Sequence, residues 1–226
     1  MMVTMSRKSQ DRLGAVLVIG LGRFGSAVAL TLAEQGREVL AVEKDPHLAA
    51  QWSHRFTVIE ADSTSKEALE QLGAKDFNVA VVGIGSSLEA SVLTTANLVE
   101  MGVGEIWAKA TSRDHGRILE KIGAHRRVFP EYDAGRRVAH MVAGRMIDYI
   151  EMEDNFTIVK MRPPHDLRGF TIGESKVRER YGVNILGVKS PHEPFEYATA
   201  ETRIGEDDLI IVSGNVELLD QFASRR

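Results

Sequence analysis

Cysteine is absent from all 226 positions of the sequence, and this absence removes whole classes of chemistry. Disulfide bonds, thiol nucleophiles and cysteine-ligated metal sites are excluded, and the composition agrees with a reducing cytoplasm. No apolar run approaches the ~20 residues that a membrane-spanning helix requires. Residues 1–12 are polar and basic, with no signal-type apolar region after them. We therefore expect a soluble, cytoplasmic protein with a flexible N-terminal tail over residues 1–14.

Recognisable catalytic groupings are also missing. The seven histidines are scattered and none is paired with a spaced acid; they are His47, His54, His115, His125, His140, His165 and His192. No Ser/His/Asp order, Walker loop or histidine-rich metal spacing is present. The formal net charge is −4, so no strong field attracts nucleic acid or an anionic membrane. These features argue against an enzyme and against a nucleic-acid partner.

What the sequence does contain is a glycine turn between an apolar strand and a helix. Residues 15–19 are apolar and mostly β-branched, and Gly20, Gly22 and Gly25 follow with the spacing G-x-G-x-x-G. The first glycine permits a sharp turn, the second lets the backbone approach a phosphate, and the third lets the helix press against the strand. Free N–H groups at the start of the helix favour an anion there. The pattern predicts a nucleotide-binding turn.

An acid stands where such a unit binds a ribose. Residues 38–42 form a second apolar strand, and Glu43 follows it, eighteen positions after Gly25. Its carboxylate suits the ribose hydroxyls and disfavours the 2′-phosphate of NADP by like-charge repulsion. A βαβ unit that needs its glycines only for packing is the alternative interpretation.

The same alternation continues to residue 133. Short apolar segments alternate with helices, which predicts parallel strands with helices on both faces, a Rossmann-like doubly wound α/β domain over residues 15–133. The predicted strands are 15–19, 38–42, 56–60, 79–82, 105–109 and 127–129.

Ligands of an open parallel sheet bind at the carboxyl ends of its strands. The residues predicted to bind a nucleotide there are Gly20, Gly22, Arg23, Phe24, Gly25, Glu43, Lys44, Asp62, Ser63, Gly83, Ile84, Gly85 and Lys109. Asp62 is placed to accept a hydrogen bond from the adenine amine. Arg23 adds a cation that a dinucleotide does not need, which favours a ligand with more phosphate charge, such as ATP or ADP. A solvated arginine is the alternative, and Lys109 either meets a phosphate or pairs with an acid.

Two further acids follow the last predicted strand. Glu131 and Asp133 are two positions apart. Near a two-fold axis they would meet their copies and hold a divalent cation through oxygen ligands. Acids that stabilise the start of the next helix are the alternative.

The pattern changes beyond this point. Residues 134–150 predict one amphipathic helix, with apolar positions at Val138, Met141, Val142, Met146, Tyr149 and Ile150. It is either the last helix of its own domain or a crossover helix at a subunit interface. We assign 134–152 to this crossover helix and linker, and 153–226 to a small α+β domain. That domain has few large apolar residues, so we expect it to dimerise.

Several motifs, in one order, resemble the RCK (regulator of K⁺ conductance) domain. They are the glycine turn 20–25 and the segments 39–45, 60–62, 93–95, 106–109, 119–124 and 129–131. From residue 15 to its end the chain is similar to the cytosolic gating subunits of Ktr/Trk-type potassium uptake systems. The resemblance implies an RCK N-domain, a crossover helix and an RCK C-domain. It also implies dimers that assemble into a ring, expected to be an octamer, beneath a membrane channel.

The resemblance extends to ligands. The identity of the bound nucleotide (ATP or ADP, or else NAD or NADH) would change the shape of the ring and so open or close the pore. Arg23 matches the family's γ-phosphate arginine, Glu43 its ribose acid and Glu131 its intersubunit ligand for Mg²⁺ or Ca²⁺. A groove that binds cyclic di-AMP in some members, and in the alternative only packs the dimer, corresponds to Ile172, Val177, Arg178, Asn184 and Ile185. The protein would lie at the inner face of the cell membrane through the channel subunit.

Two other function classes use the same fold. An NAD-dependent oxidoreductase requires a proton donor facing the cofactor, and the sequence offers none that we recognise. A redox-sensing DNA regulator requires a helix-turn-helix or a basic recognition element, and none is visible. The sequence therefore predicts a regulator whose nucleotide is sensed and not transformed.

Overall fold

The computed structural model describes residues 14–143, 146–152 and 155–225. The expected tail, up to residue 13, and parts of the expected helix and linker, at 144–145 and 153–154, lie outside the described residues. The chain divides after Glu131 into two compact units, each with a hydrophobic core of its own. Within the described ranges, no helix combines the length and the apolar character needed to cross a bilayer.

The first unit is built on a parallel sheet of six strands. These are β1 (Val16–Ile19), β2 (Val39–Glu43), β3 (Thr57–Glu60), β4 (Val79–Val82), β5 (Glu105–Lys109) and β6 (Arg126–Val128). The connecting helices are α1 (Arg23–Glu34), α2 (Pro46–Trp52), α3 (Lys66–Leu72), α4 (Leu88–Glu100) and α5 (Arg113–Ile122). The strand order is β3-β2-β1-β4-β5-β6, which is the doubly wound arrangement that the sequence predicts.

Buried side chains alternate between two clusters along the central strands. Leu17 and Ile19 enter one apolar cluster, whereas Val16 and Val18 enter another. All four side chains are buried, because a strand covered on both faces has no polar side. This explains why β1 appears in the sequence as a continuous apolar run and not as an alternating one.

The strand order places one crevice at the centre of the sheet. The chain leaves β1 toward β2 on one side and returns to β4 on the other, so β1 lies between them. In open α/β sheets ligands bind at this reversal, outside the carboxyl ends of the strands. The glycine turn at 20–25 and the Gly83–Gly85 segment both lie there.

The second unit is an antiparallel sheet with short helices. It contains most of α6 (Pro130–Ala143), whose first two residues belong to the first unit. Its other elements are β7 (Met146–Glu151), β8 (Phe156–Met161), α7 (Ile172–Ser175), α8 (Val177–Tyr181), β9 (Asn184–Lys189), β10 (Glu196–Tyr197), β11 (Leu209–Asn215) and α9 (Val216–Ala223). The strand order is β10-β9-β11-β8-β7. Helices α7 and α8 are separated by Lys176, which adopts a left-handed conformation with φ +46°.

The helix expected over 134–150 is wrong in its second half. Helix α6 ends at Ala143, and β7 then pairs antiparallel with β8. Met146 and Tyr149 are both buried in the second core, although residues three apart point to opposite faces of a regular strand. A register shift between Met146 and Asp148 brings both side chains to the buried face. That irregularity imitates the apolar spacing of a helix.

Candidate functional site

A cleft of about 720 Å³ opens at the carboxyl ends of the parallel strands. Every residue predicted to bind a nucleotide lines it, with the exception of Gly25, and so does Glu131. The lining comes from the turns after β1 to β5, together with the start of α6. Its volume lies within the range of small-molecule sites. The sequence therefore predicts the place of the cleft and most of its walls.

The glycine turn shapes one wall through three different constraints. Gly20 has φ +86°, a conformation that other residues rarely adopt. A Cβ atom on Gly25 would lie 1.8 Å from the Gly20 carbonyl oxygen, so this glycine is required for contact between α1 and the turn. A Cβ atom on Gly22 would meet nothing within 4 Å, so this position opens into the cleft. Gly25 is thus a packing residue, which is why it does not line the cavity.

The start of α1 presents its backbone N–H groups to the cleft without a competing partner. Gly22 is the N-cap, no side chain caps the helix, and its first turn contains no acid. Unpaired N–H groups and the positive end of the helix dipole favour an anion at this position. Within the described residues, the exposed Arg23 guanidinium forms no hydrogen bond or ion pair and remains available to a ligand.

Glu43 holds two turns together at the floor of the cleft. One carboxylate oxygen accepts a hydrogen bond from Leu21 N at 2.5 Å, and the other accepts from Lys44 N at 2.8 Å and Asp45 N at 2.9 Å. The acid therefore fixes the glycine turn relative to the end of β2. A carboxylate has about four acceptor positions, so this bonding leaves capacity for a hydroxyl donor.

Asp62 is held by neighbours from two turns. Lys44 Nζ lies 2.6 Å from Asp62 Oδ2, and the Thr64 hydroxyl and N–H donate to Oδ1 at 2.7 and 3.0 Å. The hydrogen bond from Lys44, followed by those from Thr64, lowers the pKa of Asp62 from 3.8 to about 2. The group is consequently ionised at neutral pH and acts as an acceptor toward any ligand.

Ser63 anchors the turn that carries Asp62. Its buried hydroxyl is hydrogen-bonded to Thr94 of α4 at 2.9 Å, and Asn97 Nδ2 donates to the Thr64 carbonyl at 3.0 Å. The Ser63 side chain lines the cleft but is engaged with the helix behind it. Its predicted contact with a nucleotide stays a prediction.

Lys109 and Glu131 form an ion pair at the opposite wall. Their Nζ and Oε1 atoms are 2.7 Å apart, and the lysine side chain is only 11% exposed. The Lys109 hydrogen bond, a backbone hydrogen bond and the charges of Lys109 and Arg23 lower the pKa of Glu131. A Cβ atom on Gly85 would lie 3.0 Å from Lys109 Nζ, so this glycine makes room for the ammonium group. Of the two expectations for Lys109, the acid partner is the one observed.

The described residues contain no group of three or more His, Cys, Asp or Glu side chains able to hold a metal ion. Within that part of the chain, Glu131 therefore has no set of protein ligands around it. Its assignment as a cation ligand stays a prediction that depends on a second copy.

Several cleft residues escape the sequence analysis. They are Asp45, Leu48, Thr64, Ser86, Ser87 and Ala90. Ser87 accepts a hydrogen bond from Ala90 N as the cap of α4, so its capping pattern is the signal that places it at this edge. Thr111, two positions after the end of β5, also lines the cleft, as expected for a residue beyond the carboxyl end of a strand.

A buried histidine supports the Thr111 turn. His115 is 1% exposed, and its Nδ1 accepts a hydrogen bond from Thr111 N at 3.3 Å. This bond assigns the proton of the neutral ring to Nε2, which is buried and has no hydrogen-bond partner among the described residues. Burial lowers the pKa of His115 below 6.5, because the charged ring would be poorly solvated.

The five residues expected at a second ligand site are divided between core and surface. Val177 and Ile185 are buried in the core of the second unit, and Ile172 packs against that core. Arg178 and Asn184 are exposed. The assignment of a ligand to them stays a prediction.

Two family models match the chain. A TrkA-N domain matches residues 16–130 and a TrkA-C domain matches residues 156–225. The chain is 35% identical over 210 residues to "Ktr system potassium uptake protein C" of Bacillus subtilis, covering 92% of this chain and 95% of that protein. It is 33% identical over 199 residues to "Ktr system potassium uptake protein A" of Vibrio alginolyticus, covering 87% and 90%.

Solved structures with the same fold include two of GsuK. The structure titled "Crystal Structure of the GsuK RCK domain" superimposes with a TM-score of 0.66 at 20% identity, over 94% of this chain and 48% of that one. "GsuK channel bound to NAD" gives 0.65 at 20% identity, over 91% and 38%. The chain thus spans about half or less of the GsuK chains, and at this identity the likeness concerns the fold alone.

Proposed function

The chain belongs to the family of proteins that join a TrkA-N domain to a TrkA-C domain in the RCK fold, and we propose that it is the cytosolic regulatory subunit of a potassium uptake system. The likeness to the Ktr proteins, over more than nine tenths of the Bacillus subtilis protein C, supports this role. The proposed partner is a membrane-embedded potassium channel or transporter subunit. That partner would hold this protein at the inner face of the cell membrane.

The cleft at the carboxyl ends of the sheet carries the proposal. It combines an uncapped helix start, an open glycine, an exposed arginine and a carboxylate at the end of β2. These groups fit an adenine nucleotide: N–H groups and Arg23 would hold phosphates, and Glu43 would accept from ribose hydroxyls. The nucleotide, once bound, supplies negative charge at a place where the protein supplies positive charge.

The number of phosphates is the proposed signal. Arg23 forms no ion pair with an acid of the described residues and acts on Glu131 only through its charge, whereas Lys109 is paired with Glu131. An added terminal phosphate would gain most from the guanidinium that is still available. A ligand shifts a conformational equilibrium only by its difference in affinity for the two states. We therefore propose that ATP and ADP favour different arrangements of a subunit ring, with NAD or NADH as the other candidate ligands.

Two further ligands belong to the same proposal. Glu131 would share a Mg²⁺ or Ca²⁺ ion with its copy in a dimer, and neutral oxygen donors or phosphate would complete the coordination. Cyclic di-AMP would bind the second unit near Arg178 and Asn184. The proposed assembly is a ring of dimers, with eight subunits.

The nucleotide is proposed to be sensed and not consumed. The sequence lacks cysteine, no histidine of the described residues lines the cleft, and the buried His115 accepts a hydrogen bond from Thr111 N through Nδ1. A proton donor facing a cofactor would be required for hydride transfer. The groups that do face the cleft bind charge.

Thermal-shift titration of the purified chain with ATP, ADP, NAD and NADH, each with and without Mg²⁺ or Ca²⁺, tests the proposal. A ligand that binds the native state increases the free energy of unfolding by mass action, by about 3 kcal/mol at a ligand concentration a hundredfold above Kd, and Tm rises accordingly. ATP and ADP are expected to raise Tm, and the divalent ion is expected to add to the ATP effect. No shift with any of the four nucleotides would overturn the assignment of the cleft.

A further inference from the structure

A second concave site lies in the second unit and shares no lining residue with the nucleotide cleft. It has a volume of about 480 Å³. Its walls are the start of β7, the loop that follows β8 and the end of α9, through Met146, Ile147, Arg162, Pro163, Pro164, His165, Arg168, Ala223 and Arg225. The concavity is separate from the residues expected to bind cyclic di-AMP, none of which lines it.

The polar lining of this concavity is basic. Three arginines and a histidine reach it from two segments, and among the described residues no carboxylate lines it. Arginine presents a planar fork of N–H donors that matches the oxygens of a phosphate or carboxylate. The lining is therefore suited to an anion.

Two of these arginines are held in place by the protein. Arg168 Nε donates to the Pro163 carbonyl at 3.2 Å, and its side chain is 20% exposed. Arg225 Nη2 lies 2.9 Å from Asp166 Oδ2, and its guanidinium carbon lies 4.3 Å from the centre of the Tyr181 ring. A fixed guanidinium loses less conformational entropy when it binds a ligand than a mobile one does.

The remaining acidic neighbours are weak competitors. Glu206 lies 3.6 Å from Arg168 Nη1 and Asp207 lies 3.9 Å from Arg162 Nη1, and both acids are at least 77% exposed. Exposed ion pairs at such distances contribute little to stability. An incoming anion could replace these carboxylates at small cost.

The concavity also has an exposed apolar wall. Ile147 lines it and is 43% exposed, whereas Met146, Ala223, Pro163 and Pro164 beside it are already buried. A bare inorganic ion would leave the Ile147 side chain in contact with water. An anion that carries an apolar group would cover this side chain.

We propose that this concavity is a binding site for a small phosphate monoester with an apolar organic group. The phosphate lies against Arg168 and Arg225, and the organic group lies on Ile147. Such a ligand would act on the second unit independently of the nucleotide in the first.

Hydrogen-exchange mass spectrometry of the full chain with phenyl phosphate as the probe tests this site, because it separates the two units. Slower exchange is expected in peptides that cover 160–170 and 219–225, beyond any change at 20–25. Inorganic phosphate is expected to bind more weakly than phenyl phosphate, and phenol not at all. Protection confined to the first unit would overturn the proposal, and so would equal protection by phenol.

Two substitutions with opposite expected effects on the affinity for phenyl phosphate complete the test. Arg168→Ala is expected to weaken phenyl phosphate binding at this site about tenfold, the loss of one hydrogen bond to a charged group. Glu206→Gln leaves the site intact and removes a competitor, so affinity is expected to rise about twofold. Arg117→Ala removes an exposed arginine of the first unit and serves as the matched control. The proposal would be overturned if both single variants, Glu206→Gln and Arg168→Ala, bound phenyl phosphate with the affinity of the wild-type chain, even if Arg168→Ala were less stable.

Discussion

At the scale of single residues, the three glycines of the first turn have separate consequences. Gly25→Ala places a methyl group 1.8 Å from the Gly20 carbonyl, so either the helix or the turn must move. We expect a loss of about 3 kcal/mol in the free energy of unfolding, measured by urea denaturation. In Gly22→Ala the added methyl group has no atom within 4 Å, so we expect the free energy of unfolding to fall by less than about 1 kcal/mol. Equal losses in the two variants would contradict this division of roles.

Arg23 permits a test of ligand discrimination. Its guanidinium lines the cleft and forms no hydrogen bond or ion pair with the described residues, so its removal should leave the fold unchanged. Arg23→Ala is expected to lower ATP affinity about tenfold, a loss of one charge-assisted contact, and to leave ADP affinity nearly unchanged. Isothermal titration with both nucleotides measures this. The control is Arg117→Ala, and an equal loss of ATP and ADP affinity would count against Arg23 as the sensor.

The side chains that form the cleft could be predicted from the sequence, because the strands of a parallel sheet run in one direction and their carboxyl ends lie together. Glu43, Asp62 and Lys109 each follow a strand, and all such ends share one edge of the sheet. Their hydrogen-bond partners could not be predicted in the same way. The bonds from Leu21 N to Glu43 and from Thr64 to Asp62 depend on the conformation of turns, for which spacing gives no signal.

At the scale of elements, His115 supports the turn between β5 and α5, and we predict that it makes the free energy of unfolding depend on pH. Its folded pKa is lowered below 6.5, so the unfolded chain binds a proton before the folded one does. Stability is therefore complete above about pH 7 and falls as pH drops below 6.5 toward the folded pKa, with a slope of at most about 1.4 kcal/mol per pH unit.

The variant His115→Asn isolates this effect. The asparagine oxygen can accept the Thr111 N–H bond and does not titrate. Urea denaturation at about pH 7.5 and about pH 5.5 should show that the wild-type chain loses more stability than the variant on acidification. Every other titrating group is common to both proteins, so its contribution cancels. A constant difference between the two chains at both pH values would refute the assignment.

The boundary between α6 and β7 shows where element prediction fails. A hydrophobic period near three to four residues is evidence for a helix only while the backbone is regular. The register shift after Met146 places residues three apart on one face of a strand, so Met146 and Tyr149 imitate a helical stripe. Residues 146–151 form a strand because they pair with β8, which lies later in the chain, and the spacing of nearby apolar residues contains no information about that pairing.

At the scale of the whole molecule, the second unit leaves apolar side chains exposed along α6, β7 and β8. Val138 and Val142 are 51% and 80% exposed on the helix, and Ile150 and Phe156 are 51% and 46% exposed on the strands. Three of these line a shared groove with Met152. The helix is held against the strands by ion pairs from Arg136 and Arg137, at 2.7 and 2.5 Å, so the groove is a fixed feature. Contiguous exposed apolar surface of this kind is typical of an interface.

A second copy of the chain is the occupant we expect, since the proposed regulator works as an assembly of dimers. Val138→Asp combined with Ile150→Asp should convert dimers into monomers at low micromolar concentration, because each buried aliphatic side chain is worth about 2 kcal/mol and a buried unpaired carboxylate costs more. Sedimentation velocity measures the mass, and Val138→Ile, which keeps the surface apolar, is the control and should remain dimeric. Both positions face water in the single chain, so the double variant should retain its Tm in dilute solution except for the part that dimerisation contributes. A double variant that sediments as a dimer would show that this groove is covered by something other than a second copy.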